Sequence, residues 1–76
     1  NLTIYPNPVV NSFSIQSNDM TFTGILSVIG INGKKIHSEQ FSGTSFIDAS
    51  EWKSGVYIVR LETKTQVISK KIVVTK

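Results

Sequence analysis

Seventy-six residues with a net charge of +3, no cysteine and a single histidine exclude a second domain, a disulfide framework, a thiolate metal site and a multi-histidine metal site. A chain this short buries only about 60% of the surface it exposes when unfolded, so stability rests on one thin core and amounts to a few kcal/mol. The positive charge is concentrated late: Arg60, Lys64, Lys70, Lys71 and Lys76 face Glu62 as the one acid from position 60 onward, which favours anionic surfaces without specifying one.

No apolar run is long enough to span a membrane as a helix, so no membrane-spanning segment is expected, and there is no initiator methionine or signal peptide. A start at Asn1 directly on a strand pattern reads as a piece of a longer chain, and Lys76, flush with a strand, reads as a true C-terminus.

In chain order, Leu2 to Tyr5 alternates apolar and polar and is stopped by Pro6, Asn7 and Pro8, whose prolines remove backbone donors and impose extended or turn geometry. Ser12 to Gln16 predicts a half-buried strand with Phe13 and Ile15 inward. Asn18 and Asp19 mark a turn, and a strand follows from about Gly24 to Ile29 with Leu26 and Val28 on the core face. Asn32 and Gly33 then predict a hairpin of type I′, since both central residues of that turn need φ > 0. The return strand, Lys34 to Phe41, places Ile36 inward and is polar enough afterwards to lie near an edge. Ser42, Gly43 and Thr44 read as a loop, and Phe46 to Asp48 as a short strand.

From Asp48 to Gly55 the chain reads as a compact connection. Asp48 with Glu51 three residues on has the spacing of a capping box over a single helical turn, closed from below by Trp52. Gly55 supplies a position for φ > 0, and the run after it commits most firmly to a strand. Tyr57, Val59 and Leu61 share one face, Val56, Ile58, Arg60 and Glu62 the other, as in an interior strand that emerges toward solvent. Val67 to Thr75 is the last strand, with Ile68, Ile72 and Val74 on one face and Val73 on the other. Lys70 interrupts the apolar face, so either a bulge resets the register or its stem lies along the core with the amine in water. Seven short, evenly spaced strands without a long helix predict an all-β antiparallel sandwich.

Little catalytic chemistry is present. His37 reads as an exposed strand histidine with no serine or cysteine triad around it, and no cofactor is implied. Asp48 and Glu51 fit a cap better than an acid–base pair. Tyr5, Trp52 and Tyr57 would make a sugar-stacking platform only if all were exposed, whereas Trp52 and Tyr57 sit in apolar alternation. A carbohydrate-binding or adhesive β-sandwich module is therefore the alternative reading. The basic late strand reads as edge protection, and without stacking aromatics or a recognition helix nucleic acid is not expected as a partner.

Three stretches line up in order: Tyr5, Pro6, Asn7, Pro8, Val9; then Ile31 to Ile36 around Gly33; then Ile47 and Asp48 leading through Trp52 to Gly55, Val56, Tyr57, Ile58 and Val59, with Lys71, Ile72, Val73 and Val74 closing the chain. This pattern resembles the type A C-terminal sorting domain of type IX secretion substrates, over essentially the whole chain. The resemblance implies an immunoglobulin-like sandwich, residues 1–76, covalently linked to an N-terminal passenger domain that reaches the periplasm of a Gram-negative bacterium. It implies an address read by the type IX outer-membrane translocon and its shuttle receptor, then cleavage by a surface sortase, with the passenger secreted or held at the cell surface on anionic lipopolysaccharide. No catalysis belongs to the domain itself.

Carried over by position, Pro6, Asn7 and Pro8 match the opening motif, Gly33 the hairpin glycine, Gly55 and Tyr57 the central pair, and Lys71 to Val74 the closing strand. Gly30 stands where an acidic residue is common and Asn11 where a glycine is frequent. Because a sorting signal must be a surface, Pro6, Asn7, Pro8, Lys70, Lys71, Val73 and Lys76 are the expected recognition residues. Gly33, Asp48, Gly55, Tyr57, Ile72 and Val74 are expected to hold the fold.

Overall fold

The computed structural model describes residues 2–76 as seven strands: β1 (Leu2–Tyr5), β2 (Ser12–Ser17), β3 (Thr23–Gly30), β4 (Lys35–Ser42), β5 (Thr44–Asp48), β6 (Gly55–Glu62) and β7 (Val67–Val74). Every paired strand is antiparallel, and hydrogen bonding runs in the order β1-β2-β5-β4-β3-β6-β7. The β5–β4 link is one residue pair, Ser42 with Thr44. There the ribbon folds over, leaving β1-β2-β5 as one layer facing β4-β3-β6-β7 as the other, a small β-sandwich.

Gly43 makes that fold possible. It takes φ of +80°, and a Cβ there would lie 2.8 Å from the Met20 carbonyl oxygen, so an L side chain is excluded both by backbone and by space. The same corner is tied by Ser17 N–H to the Gly43 carbonyl at 2.8 Å and Gly43 N–H to the Phe22 carbonyl at 3.0 Å. The expected three-residue loop is thus a one-residue corner, and β5 begins at Thr44 rather than Phe46.

The core lies between the layers. Phe13, Ile15 and Ile47 from the first meet Leu26, Val28, Phe41, Val59, Leu61 and Ile72 from the second, all fully buried as their period of two requires. Each such side chain is worth about 1.5–3 kcal/mol in transfer from water. Phe13 stands edge-on to Trp52 (5.8 Å between ring centroids), and Trp52 packs against Tyr57 at 5.3 Å. Trp52 and Tyr57, half-buried, lid one end of the core, and the Tyr57 hydroxyl donates to the Lys53 carbonyl at 2.6 Å.

Four local expectations are corrected. The β3–β4 hairpin is not type I′: Gly33 has φ of +85° but no residue other than glycine has positive φ among those described. Gly33 N–H bonds the Gly30 carbonyl, Gly30 N–H the Lys34 carbonyl, and Asn32 Oδ1 accepts from Lys34 N–H at 3.0 Å. That is a type I turn over Ile31 and Asn32 closed by a left-handed glycine. Ile36 is exposed rather than inward, because Val28 pairs with His37 while Ile29 pairs with Lys35, leaving Ile36 as the extra residue of a bulge.

The connection after Asp48 is not a capped helical turn. Asp48 Oδ1 accepts from Ser50 N–H, two residues on, and Trp52 N–H bonds the Ala49 carbonyl, making an Asx turn and a β-turn in which Glu51 makes no hydrogen bond. His37 is half-buried rather than exposed. Along β7 the register with β6 is unbroken from Val67 to Val74. No bulge exists there, and Lys70 sits on the core-facing row at the edge with its side chain exposed. Trp52→Ala should lower stability by about 3 kcal/mol, the low end for a large aromatic truncated at the core, read as an earlier urea midpoint with an unchanged slope.

Candidate recognition surface

The expected recognition residues come from the two ends of the chain, and the fold brings them together. Val9, immediately after the proline turn, is fully buried and lies beside β7 in a parallel bridge with Val74. Its N–H donates to the Val73 carbonyl and its carbonyl accepts from Thr75 N–H, both at 2.8 Å. Asn7 Oδ1 accepts from Val73 N–H at 3.2 Å. Pro6, Asn7 and Pro8 therefore sit exposed against the end of β7, beside half-buried Val73. Both prolines follow cis peptide bonds.

Lys70 and Lys71 continue the patch along β7. Both are exposed, and the two ion pairs among the described residues, His37–Glu39 and Arg60–Glu62, leave these ammoniums without a carboxylate. Lys71 lies on the outer face, in register with Ile58, and Val73 with Val56. Half-buried Val56, Ile58 and Val73 give the outer face a short aliphatic strip beside Lys71.

Lys76 is placed differently. Its Nζ donates to three backbone carbonyls, Val10 at 2.8 Å, Ala49 at 2.9 Å and Ser50 at 3.2 Å, while its N–H donates to Ser54 Oγ at 3.0 Å. One ammonium thus closes the proline segment onto the β5–β6 connection and satisfies carbonyls that lie outside any ladder. Asp48 lies in the same connection, and its carboxyl is held below its usual range first by the backbone and side-chain hydrogen bonds of Ser50 and more weakly by the Lys76 charge.

The expected structural residues sit in the framework behind this patch. Ile72 and Val74 are buried on the core side of β7, and Tyr57 lies half-buried on β6, in register with Ile72. Gly55 begins β6 with φ of +153°, Gly33 closes the distant hairpin, and Asp48 starts the Asx turn. Two features had no counterpart in the sequence reading. The burial of Val9 was signalled only by an apolar pair, Val9 and Val10, directly after the prolines. Phe46, 70% exposed, shares the outer face of the three-stranded layer with Tyr5, the two in register on either side of Ser14.

One polar cluster has the composition of a catalytic triad without its order. His37 Nε2 meets Glu39 Oε1 at 2.7 Å, and Ser45 Oγ donates to Glu39 Oε2 at 2.6 Å. The carboxylate stands between serine and histidine, so no imidazole is available to take the hydroxyl proton. The cluster instead ties β4 to β5 beside the Gly43 corner. Burial alone would raise the Glu39 pKa, but the hydrogen bonds from Ser45 and His37 and the histidine's charge outweigh it and leave it lowered. Asp19, accepting from the Thr21 hydroxyl and N–H, is lowered as well. Among the described residues no three histidine, cysteine or acidic side chains gather as metal ligands.

Two expectations follow. Lys76→Glu should destabilise the fold, by about 0.5–1.5 kcal/mol for the hydrogen bonds lost, whereas Lys71→Glu should change the melting temperature by no more than about 2–4 °C, as for exposed substitutions. The depressed carboxylates Asp19, Glu39 and Asp48 stabilise the folded state above their unfolded values, near 4. That contribution is lost as pH falls through the lower folded values, so the urea midpoint should hold from pH 7 to 5 and drop below about pH 4. Glu39→Gln should flatten part of that drop.

No curated protein matches the chain as a relative. The family described as the secretion system C-terminal sorting domain matches residues 3–75. That span takes in every strand, the proline turn and the basic edge of β7, and the chain belongs to this family: it is a type IX sorting signal, which directs export through the periplasm to the cell surface or the medium of a Gram-negative bacterium.

Proposed function

We propose that the outer-membrane translocon and its shuttle receptor read one composite surface: the Pro6–Pro8 turn, Val73, and Lys70 and Lys71 on β7. The observation that carries this reading is the bonding of Asn7 and Val9 to Val73 and Thr75, which fuses two segments some 66 residues apart into a single exposed patch. A receptor that contacts both segments tests whether the sandwich is folded, because neither keeps its position in an unfolded chain. Lys76 serves the surface by holding its two loops together. The covalent N-terminal passenger carries whatever activity the secreted protein has, and a surface sortase cleaves on the N-terminal side of β1, releasing the passenger or transferring it to lipopolysaccharide.

Fusing residues 1–76 behind a periplasmic reporter in a type IX-competent cell should move the reporter outside. Reversing Lys70 and Lys71 to glutamate should strand it in the periplasm while the purified domain melts at an unchanged temperature. Export undiminished by that reversal would remove the lysines from the recognised surface.

A further inference from the structure

We propose that the open edge of β7, from Val67 to Lys71, accepts an added strand from a partner protein, an extended segment rich in carboxylates. The proposal rests on the recognition surface described above and deepens it by naming the mode of contact and the partner's chemistry.

In an antiparallel ladder the backbone groups of alternate residues point toward and away from the neighbouring strand. Val73 turns both its N–H and its carbonyl away from β6, since these bond Asn7 and Val9. With the β6–β7 register unbroken, the groups of Lys71, Ser69 and Val67 point the same way, and none has a partner strand among the described residues. The edge already receives one added segment, Asn7–Val9, which covers it only at Val73 and Thr75. The open stretch is the direct continuation of a strand-acceptor groove that the domain itself half fills.

The other edges offer less. β1 has four residues and runs into Pro6, β5 has five, and β4 carries the bulge at Ile36. β7 keeps an unbroken register over eight residues, and its side chains define the occupant. Lys70 and Lys71 project from opposite faces of the open stretch, unpaired and exposed, and Val67 is an exposed apolar neighbour. Lysines on an edge repel basic strands and second copies of this basic chain. They attract a strand with carboxylates on both of its faces, so a protective device also acts as a selectivity filter.

Hydrogen exchange on the chain tests this with a short synthetic peptide of alternating valine and glutamate, and a valine–lysine peptide as control. At saturation the acidic peptide should slow the Ser69 and Lys71 amides by at least about tenfold and leave Val73, already bonded, unchanged. The lysine peptide should not, and the effect should vanish in Ser69→Pro, which removes an outward-facing N–H and no ladder bond to β6, and in the double reversal Lys70→Glu, Lys71→Glu. The double reversal keeps the test valid should Ser69→Pro fail to fold. No protection, equal protection by both peptides, or concentration-dependent protection without peptide, as a second copy would give, overturns the proposal. Export separates the two levels of inference. Unchanged export of a reporter carrying folded Ser69→Pro sinks the edge alone, whereas unchanged export of both Ser69→Pro and the double reversal sinks the recognition surface as well.

Discussion

The sandwich depends on the seam between Val9 and the last strand. Two layers of short strands are joined on one side only by the Ser42–Thr44 pair at the Gly43 corner. On the other side the chain would leave the end of β7 bare over a core with little to spare. Val9 fills that place: its side chain completes the core, its backbone completes the ladder, and Lys76 locks the arrangement from beneath with three carbonyls. The first and last segments therefore become cooperative with each other, and with them the whole fold.

The surface proposed above for recognition lies along that seam. Phe13, Phe41 and the large aliphatic side chains of the inner faces are committed to the core, and the polar cluster that looks most like chemistry, Ser45–Glu39–His37, is ordered as a structural tie. The rim where the two ends meet is the surface proposed for the receptor. A surface assembled from both termini exists only in the native state, so on the proposed reading a single contact would report both the address and the fold.

The basic charge acts within the same geometry. Lysines late in the chain are spread by the fold into different tasks: Lys76 bridges three backbone carbonyls, Lys70 flanks the core row, and Lys71 faces outward beside an aliphatic strip. Equal charges in the sequence thus differ in what their removal does, because desolvation and partners, rather than residue type, set the cost.

Much was legible in the residues themselves. Alternation with a period of two placed Phe13, Ile15, Leu26, Val28, Val59 and Leu61 in the core, and the Gly55–Leu61 run marked an interior strand, because burial on a pleat leaves its signature locally. Proline and glycine positions located the turns, and the ordered motifs indicated the family. Tertiary structure alone decided the rest. The bulge that expels Ile36, the Asx turn that replaces a capped helix at Asp48 and the type I turn before Gly33 depend on which neighbouring amide or strand reaches a group first. The union of Asn7 and Val9 with β7, and the capture of Lys76 by Val10, Ala49 and Ser50, join residues far apart in sequence, and no local periodicity records a contact whose partner lies at the other end of the chain.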